Sequence, residues 1–321
     1  MKCNLFNEYF ASISNSPAYD INKLPPLHFL TDHRLLPPSF DPFQVFRVLS
    51  SLHPNKCKGF DNLPNRILKI CSQSLATPFS LLFNLILLSE VFPTSCKTAT
   101  VIPIHKTASQ TVVQNYRSIA LLSSLSKVFE KLLHKHVYIY LEYHKLLIPN
   151  NSDFREKNST LISLLDACHS LHQAYDSNLS SRIVFRDISK AFDHADHTCL
   201  IFKLQQLGIV GSLSNILSSY LFLRSQVILL GCTRSDLTYT NCGVAQGFVL
   251  GPLVFLIYVS DIAINIKASI SLFADDTTLF YQISVLSTCT VCLLKISARC
   301  TTDLSFGMLL STQQNCGYDH I

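Results

Sequence analysis

Two adjacent carboxylates, Asp275 and Asp276, interrupt an otherwise apolar, strand-like stretch, Leu272-Phe273-Ala274-Asp275-Asp276-Thr277-Thr278-Leu279. A strand interior disfavours aspartate. The pair therefore belongs at the tip of a strand–turn–strand unit within residues Ser269–Tyr281. Neighbouring carboxylates repel unless a cation or solvent neutralises them. A solvated turn satisfies that requirement, and so does a metal site.

A third carboxylate closes another strand-like run, Ile183-Val184-Phe185-Arg186-Asp187-Ile188. Alternation places Ile183, Phe185 and Asp187 on one side and Val184, Arg186 and Ile188 on the other. If the two strands are neighbours, Asp187, Asp275 and Asp276 converge. Three carboxylates at one sheet edge can hold two Mg²⁺ ions ~3.5–4 Å apart, because Mg²⁺ takes oxygen ligands and commonly keeps substrate phosphates in its shell. A further feature is the run Gly243-Val244-Ala245-Gln246-Gly247-Phe248-Val249-Leu250-Gly251-Pro252. It holds three of the nine glycines, each four apart. Such a loop lets backbone approach a ligand closely; a packing turn before the next helix reads equally well.

The rest of the chain supplies helices and short strands. Helical spacing marks Phe43, Phe46 and Leu49, then Ile67, Leu68, Cys71 and Leu75, then Phe79–Glu90. Val128, Leu132, Val137 and Leu141 line one face of a helix over Leu125–Tyr143, with Lys127, Glu130, Lys131 and Lys135 filling the remainder. Leu161–Tyr175, Leu200–Leu207, Leu213–Leu223 and Leu253–Ile262 also read as helices. Ala99–His105 reads as a strand, and Val227–Leu230 with Leu237–Asn241 as a hairpin. The first forty residues, with Pro25-Pro26 and Pro37-Pro38, read as irregular linker. The sum is an α+β protein whose small antiparallel sheet is covered by helices, without internal repeats.

At 321 residues and 48% hydrophobic, the chain has ample core for one large domain or two. Its 15% charged residues exclude a disordered polyelectrolyte, and a net charge of +5 excludes a histone-like one. That charge is uneven: +3 over residues 1–100, +4 over 101–160 and −2 over 161–321. A basic region beside an acidic one suits a polyanion with a divalent cation. The opening Met1-Lys2-Cys3-Asn4 leads to Glu8 without an apolar run, so the twelve cysteines read as reduced thiols of an intracellular, nuclear or cytoplasmic, protein and not a secreted one. Phe79–Leu88 is shorter than the ~20 residues a span needs. Phe248–Ile266 contains Gly251, Pro252 and Asp261. Both read as core, and no membrane is expected.

Seven runs, in order, resemble the reverse transcriptases of non-LTR (LINE-type) retrotransposons. They are Leu5–Phe10, Asn115–Ile119, Leu121–Lys131, Asp187-Ile188-Ser189-Lys190-Ala191-Phe192-Asp193, Gln246-Gly247, Val249-Leu250-Gly251-Pro252 and Phe273-Ala274-Asp275-Asp276. The resemblance implies a right-hand polymerase fold with an N-terminal linker (1–40), fingers (41–180), a palm (181–285) and the start of a primer-grip and thumb region (286–321), with most of the thumb missing. It implies RNA-directed DNA synthesis from an RNA template, a DNA primer and dNTPs, with two Mg²⁺ ions or Mn²⁺, and no obligate protein partner. Asp187, Asp275 and Asp276 match the metal-binding aspartates, and Ile188 would add a main-chain carbonyl. Phe192 matches the aromatic gate against a ribose 2′-hydroxyl. Gln246 and Gly247 match the loop that meets nucleotide and template. Lys106 and Arg117 match the fingers' cations on the triphosphate, arginine being suited to bidentate phosphate contact.

The chain departs from the family pattern at several positions. Arg186 replaces an apolar residue, Ala245 and Phe248 stand for Pro and Ser, Asp153 for Gly, Ser118 for Pro, Cys96 for Trp and Phe306 for Trp. These changes point to a partial or decayed copy. The alternative to a polymerase is an inactive relic that binds nucleic acid electrostatically. Zinc at Cys289, Cys292, Cys300 and Cys316 is disfavoured by the spacing of the second pair. Consecutive residues of Asp193-His194-Ala195-Asp196-His197 spray around a helix, and the resemblance makes Asp193, Asp196 and His197 packing or capping positions.

Overall fold

The computed structural model describes residues 2–15, 19–106, 109–148, 151–155, 158–187, 192–262, 269–273 and 276–283. Its helices are α1 (Lys2–Ile13), α2 (Pro42–Ser50), α3 (Asn65–Ile70), α4 (Ser72–Ser89), α5 (Ser124–Tyr143), α6 (Thr160–Asp176), α7 (His197–Gln206), α8 (Ser212–Leu221) and α9 (Gly251–Tyr258). Its strands are β1 (Thr98–His105), β2 (Tyr116–Leu121), β3 (Ser180–Asp187), β4 (Arg224–Leu230), β5 (Thr233–Arg234), β6 (Thr238–Thr240), β7 (Ser269–Phe273) and β8 (Asp276–Ile283). They form two compact units. One contains Met1–Tyr19, Leu27–Leu146 and Phe192–Phe255; the other contains Asp20–Pro26, Leu147–Ala191 and Leu256–Ile321.

The first unit opens with α1, where the sequence suggests irregular chain. Cys3, Asn7, Phe10 and Ala11 are buried along one face of that helix. Asn7 is the disguise. Its Nδ2 donates to the Asp236 carbonyl at 2.7 Å and to Thr238 Oγ1 at 2.8 Å, and its Oδ1 accepts from Gln226 Nε2 at 3.1 Å. A polar side chain so satisfied sits in the core at little cost. Helix α2 starts at a capping box: Asp41 accepts from the Gln44 amide at 2.8 Å, and Gln44 accepts from the Asp41 amide at 3.2 Å. Its buried residues are Val45 and Leu49, and Phe43 faces solvent, so the helix is turned from the face the aromatic spacing marks.

Helices α3 and α4 divide at Cys71, earlier than the spacing suggests. Among the described residues α4 is the one helix long and apolar enough to cross a membrane. Its Phe83, Ile86 and Leu87 are buried, while Leu81, Leu85 and Leu88 are exposed. Helix α5 buries Val128, Leu132, Val137 and Leu141, as its periodicity indicates. It also buries Glu130 completely, which the sequence groups with the solvent-facing lysines. Phe129 centres an aromatic cluster, with ring centroids 5.5 Å from Phe83, 5.9 Å from Phe92 and 6.1 Å from Phe40.

Strand β1 pairs antiparallel with β2 and parallel with β4, and β4 pairs antiparallel with β5 and β6. The second unit holds an antiparallel sheet in the order β3-β8-β7. Ile262, Ile270, Leu272 and Leu279 form its core, with Ile148 and Val184 packed against them. Phe185, the next residue of β3, is 79% exposed. The α+β composition expected from the sequence is present, with one antiparallel and one mixed sheet.

Candidate active site

In the second unit the β3–β8 register runs from Ser180 opposite Ile283 to Asp187 opposite Asp276. The β7–β8 register closes with Phe273 opposite Asp276. Asp187 and Asp276 therefore face each other on neighbouring strands at one end of the sheet. Directly opposed residues of an antiparallel pair have Cβ atoms about 4.5–5.5 Å apart. The inward positions of the hairpin, Ile270, Leu272, Thr277 and Leu279, are buried, and Asp276 is exposed. This alternation is why the apolar runs fold as arms and leave the acid at the end. Asp275, Ile188 and the cysteines weighed and disfavoured as zinc ligands (Cys289, Cys292, Cys300 and Cys316) lie outside the described residues, as do the side chains of Asp187 and Arg186. Among the described residues no three potential metal-ligating side chains cluster.

In the first unit Lys106 and Arg117 are exposed on the β1–β2 hairpin. Arg117 lies opposite Ile104, and the Lys106 amide continues the pairing by donating to the Asn115 carbonyl at 2.8 Å. Ile104 and Lys106 are two residues apart, so Arg117 shares their face of the hairpin. Three residues beyond Arg117, the Ala120 amide donates to the Gln246 carbonyl at 2.8 Å. Gly247, at φ +116°, leans directly on the Ala120 carbonyl, where a side chain would collide with backbone. Gly243, at φ +86°, is similarly tight against the Asp193 carbonyl. The Val244 amide donates to the Phe192 carbonyl at 2.7 Å, and the Phe192 ring stacks on Phe255 with centroids 4.0 Å apart. Lys106, Arg117, Phe192, Gln246 and Gly247 thus belong to one connected arrangement of hairpin and loop.

Three residues outside the expected site set hold this loop: His197, which the resemblance made a packing or capping position, Glu130 and Arg224. His197 Nε2 donates to the Gly243 carbonyl at 2.8 Å. Burial of the imidazole pushes its pKa below the ordinary histidine value, and Arg224 adds to that; the Gly243 bond and Asp196 act in opposition. Glu130 accepts from Ser126 Oγ at 2.8 Å through one carboxylate oxygen. The other oxygen accepts from the Val249 amide at 2.7 Å and the Leu250 amide at 3.3 Å. Burial raises the Glu130 carboxyl above the usual range, against the lowering effects of Ser126, Arg224 and the two amides. Arg224 is 4% exposed. It donates to the Tyr220 carbonyl at 2.8 Å and lies 4.3 Å from the Phe248 ring and 4.8 Å from the Tyr220 ring. Phe248 is buried against this guanidinium. The signal for Glu130 was its place in the Leu121–Lys131 run; Arg224 carried none. Asp196 caps α7 by accepting from the Cys199 amide at 2.9 Å, in keeping with a capping role.

Residues 104–305 match the family described as reverse transcriptase (RNA-dependent DNA polymerase). The chain belongs to the reverse transcriptase family. The matched stretch includes every candidate residue from Lys106 to Asp276. Among curated proteins the chain is 30% identical over 248 residues to a probable RNA-directed DNA polymerase from transposon BS of Drosophila melanogaster, covering 74% of this chain and 27% of that protein. It is 30% identical over 249 residues to the X-element counterpart of the same fly, covering 76% and 27%. With the RNA-directed DNA polymerase from mobile element jockey it shares 28% over 243 residues, covering 73% and 26%. The chain thus spans about a quarter of the length of these retrotransposon reverse transcriptases.

Proposed function

We propose that this chain is the fingers-and-palm part of a retrotransposon reverse transcriptase, which extends a DNA primer on an RNA template using dNTPs. The pairing of Asp187 with Asp276 at the end of an antiparallel sheet carries this reading. In it, residues 41–180 provide the fingers, 181–285 the palm and 286–321 the start of the primer grip. The donor set fits Mg²⁺, and Mn²⁺ in its place: carboxylates are hard oxygen ligands, and the two whose strands are described stand on opposed positions. Asp187, Asp275 and Asp276, with the Ile188 carbonyl, would hold the metal. When bound, it supplies charge neutralisation at the triphosphate and a more acidic primer hydroxyl. Lys106 and Arg117 bind phosphate oxygens from the hairpin face. Phe192 limits the space at the sugar. Gln246 and Gly247 bring main chain close to the nucleotide. Primer extension by the purified chain, beside Asp275→Asn, tests this: activity in the parent that is lost in the variant supports it, and equal extension by both overturns it.

One observation favours a second reading, electrostatic nucleic-acid binding without catalysis. Lys127, Lys131 and Lys135 recur every fourth residue on α5, about 6 Å apart along its axis. Burial lowers the pKa of Lys127 and Lys131; the nearby Lys56 lowers both further, and at Lys127 Glu130, Cys57 and Asp61 act against the shift. Lys135 continues into a groove shared with Arg47 and His136 that no carboxylate lines. Crowded cations of this kind are relieved by a polyanion. Salt-dependent RNA binding by a chain that does not extend a primer selects this reading.

A further inference from the structure

The glycine-bearing loop is held from beneath by a charge. Val249 and Leu250 directly precede α9; Leu250 is its N-cap, whose amide a helix start leaves without an intrahelical partner, and the Val249 amide lies one residue further out. A carboxylate there suits both the hydrogen-bonding need and the helix dipole. The carboxylate comes from Glu130, 119 and 120 residues away in sequence and fully buried on α5. Its other oxygen is fixed by Ser126, one helical turn earlier. A buried carboxylate without hydrogen-bond partners is unstable; Glu130 has three, and the charge of Arg224 on β4 favours its ionised form without an ion pair between them. The Arg224 guanidinium is itself wedged between the Phe248 and Tyr220 rings, and its Nη2 meets no acceptor. Three elements that do not carry the reactive residues therefore fix the height of the loop. Gln246 and Gly247 are three and two residues before Val249, pressed on Ala120.

We propose that Glu130 is a positioning residue: by holding the Val249 and Leu250 amides it sets Gln246 and Gly247 against β2 and so governs how the enzyme takes its incoming nucleotide. The nucleotide part rests on the reading given under Proposed function. The anchor itself does not. Substitution by alanine removes both acceptors, whereas glutamine keeps an acceptor oxygen while losing the charge. Truncation of Ser126 removes only the hydroxyl that donates to the carboxylate oxygen not bonded to the loop.

The test is amide hydrogen exchange over residues 243–252 in the full chain, with primer extension measured on the same proteins. For Glu130→Ala, exchange across 243–252 is expected to accelerate at least tenfold relative to peptides from α2 and α8. Glu130→Gln is expected to stay within about threefold of the parent, and Ser126→Ala to match it. In extension, Glu130→Ala is expected to raise the KM for dNTP about tenfold with a smaller change in kcat, and Glu130→Gln to restore most of it. Unchanged exchange at 243–252 in Glu130→Ala overturns the anchor. A uniform acceleration over all peptides, shared by Glu130→Gln, also overturns it, because the carboxylate then serves only the fold. Faster loop exchange with an unaltered KM overturns the nucleotide role. Absence of extension by the parent overturns the proposed polymerase and leaves the anchor to be decided by exchange alone.

Discussion

The acidic end of the β3-β8-β7 sheet and the glycine loop at residues 243–250 are built on opposite plans. At the sheet, two carboxylates stand opposite each other on adjacent strands and Asp276 is open to water. At the loop, the polar groups that matter are main-chain atoms, and charges support them from inside the core. The first arrangement gives up stability, since like charges directly opposed across a ladder are unfavourable. The second invests buried charge in shape. Substitutions at the sheet should therefore remove activity and spare the fold, whereas substitutions under the loop should loosen the fold and weaken nucleotide use only in part.

The largest expected effect tests the sheet. Asp276→Asn should lower primer extension by at least about a thousandfold, the scale of several kcal/mol of transition-state charge stabilisation. The same variant should raise thermal stability slightly, by up to about 1 kcal/mol, through relief of the opposed charges. A large loss of Tm in Asp276→Asn would show that the carboxylate is structural and would erase the contrast.

Next comes the support. Glu130→Ala leaves two amides and the Ser126 hydroxyl without an acceptor, so unfolding in urea should show a loss of about 2–5 kcal/mol. A loss below about 1 kcal/mol would mean that water reaches the carboxylate. Smaller again is Gly247→Ala. It places a Cβ against the Ala120 carbonyl at a φ of +116°, a strain of about 1–3 kcal/mol. Its Tm should fall while the β3-β8-β7 sheet keeps its exchange protection.

What the sequence disclosed follows the same division. The acidic hairpin was legible because period-two apolar runs bracket the aspartates, and a sheet with one buried face allows one register for such a pattern. The α5 face was legible for the equivalent helical reason. Glu130 was not, because nothing local distinguishes a glutamate aimed at two amides over a hundred residues away from one aimed at water. Asn7 hid α1 in the same manner: its burial depends on Asp236, Thr238 and Gln226. Strand β2 stood inside a recognised motif, yet its six residues lack a clean alternation, with only Ala120 buried. Phe248 is a departure from the family pattern whose setting only the fold reveals, against Arg224.

The pH response separates the two plans further. The folded-state pKa of His197 lies below its ordinary value, so the folded protein binds fewer protons there than the unfolded chain. Stability linked to His197 is present above the ordinary histidine value and is lost as pH falls from that value through the lowered one. The charges that bear on it are Asp196, which opposes the shift, and Arg224, which favours it. Its Nδ1 is buried without a hydrogen-bond partner, so protonation creates a donor with nowhere to go. Tm should decline below the ordinary histidine value in the parent and decline less in His197→Gln. Identical pH profiles would detach His197 from the loop's support.

The smallest effect concerns the lysines of α5, which belong to neither plan. Lys135 is exposed, so Lys135→Ala should leave Tm nearly unchanged. If it neutralises one phosphate of a single-stranded RNA, its loss should reduce the slope of log K against log salt by about 0.7, with affinity falling alike for unrelated sequences. Fluorescence anisotropy with two RNA oligonucleotides of different sequence measures both quantities. A sequence-dependent loss would move Lys135 from backbone contact to base reading. An unchanged slope would place the nucleic acid elsewhere and remove the observation that favours binding without catalysis.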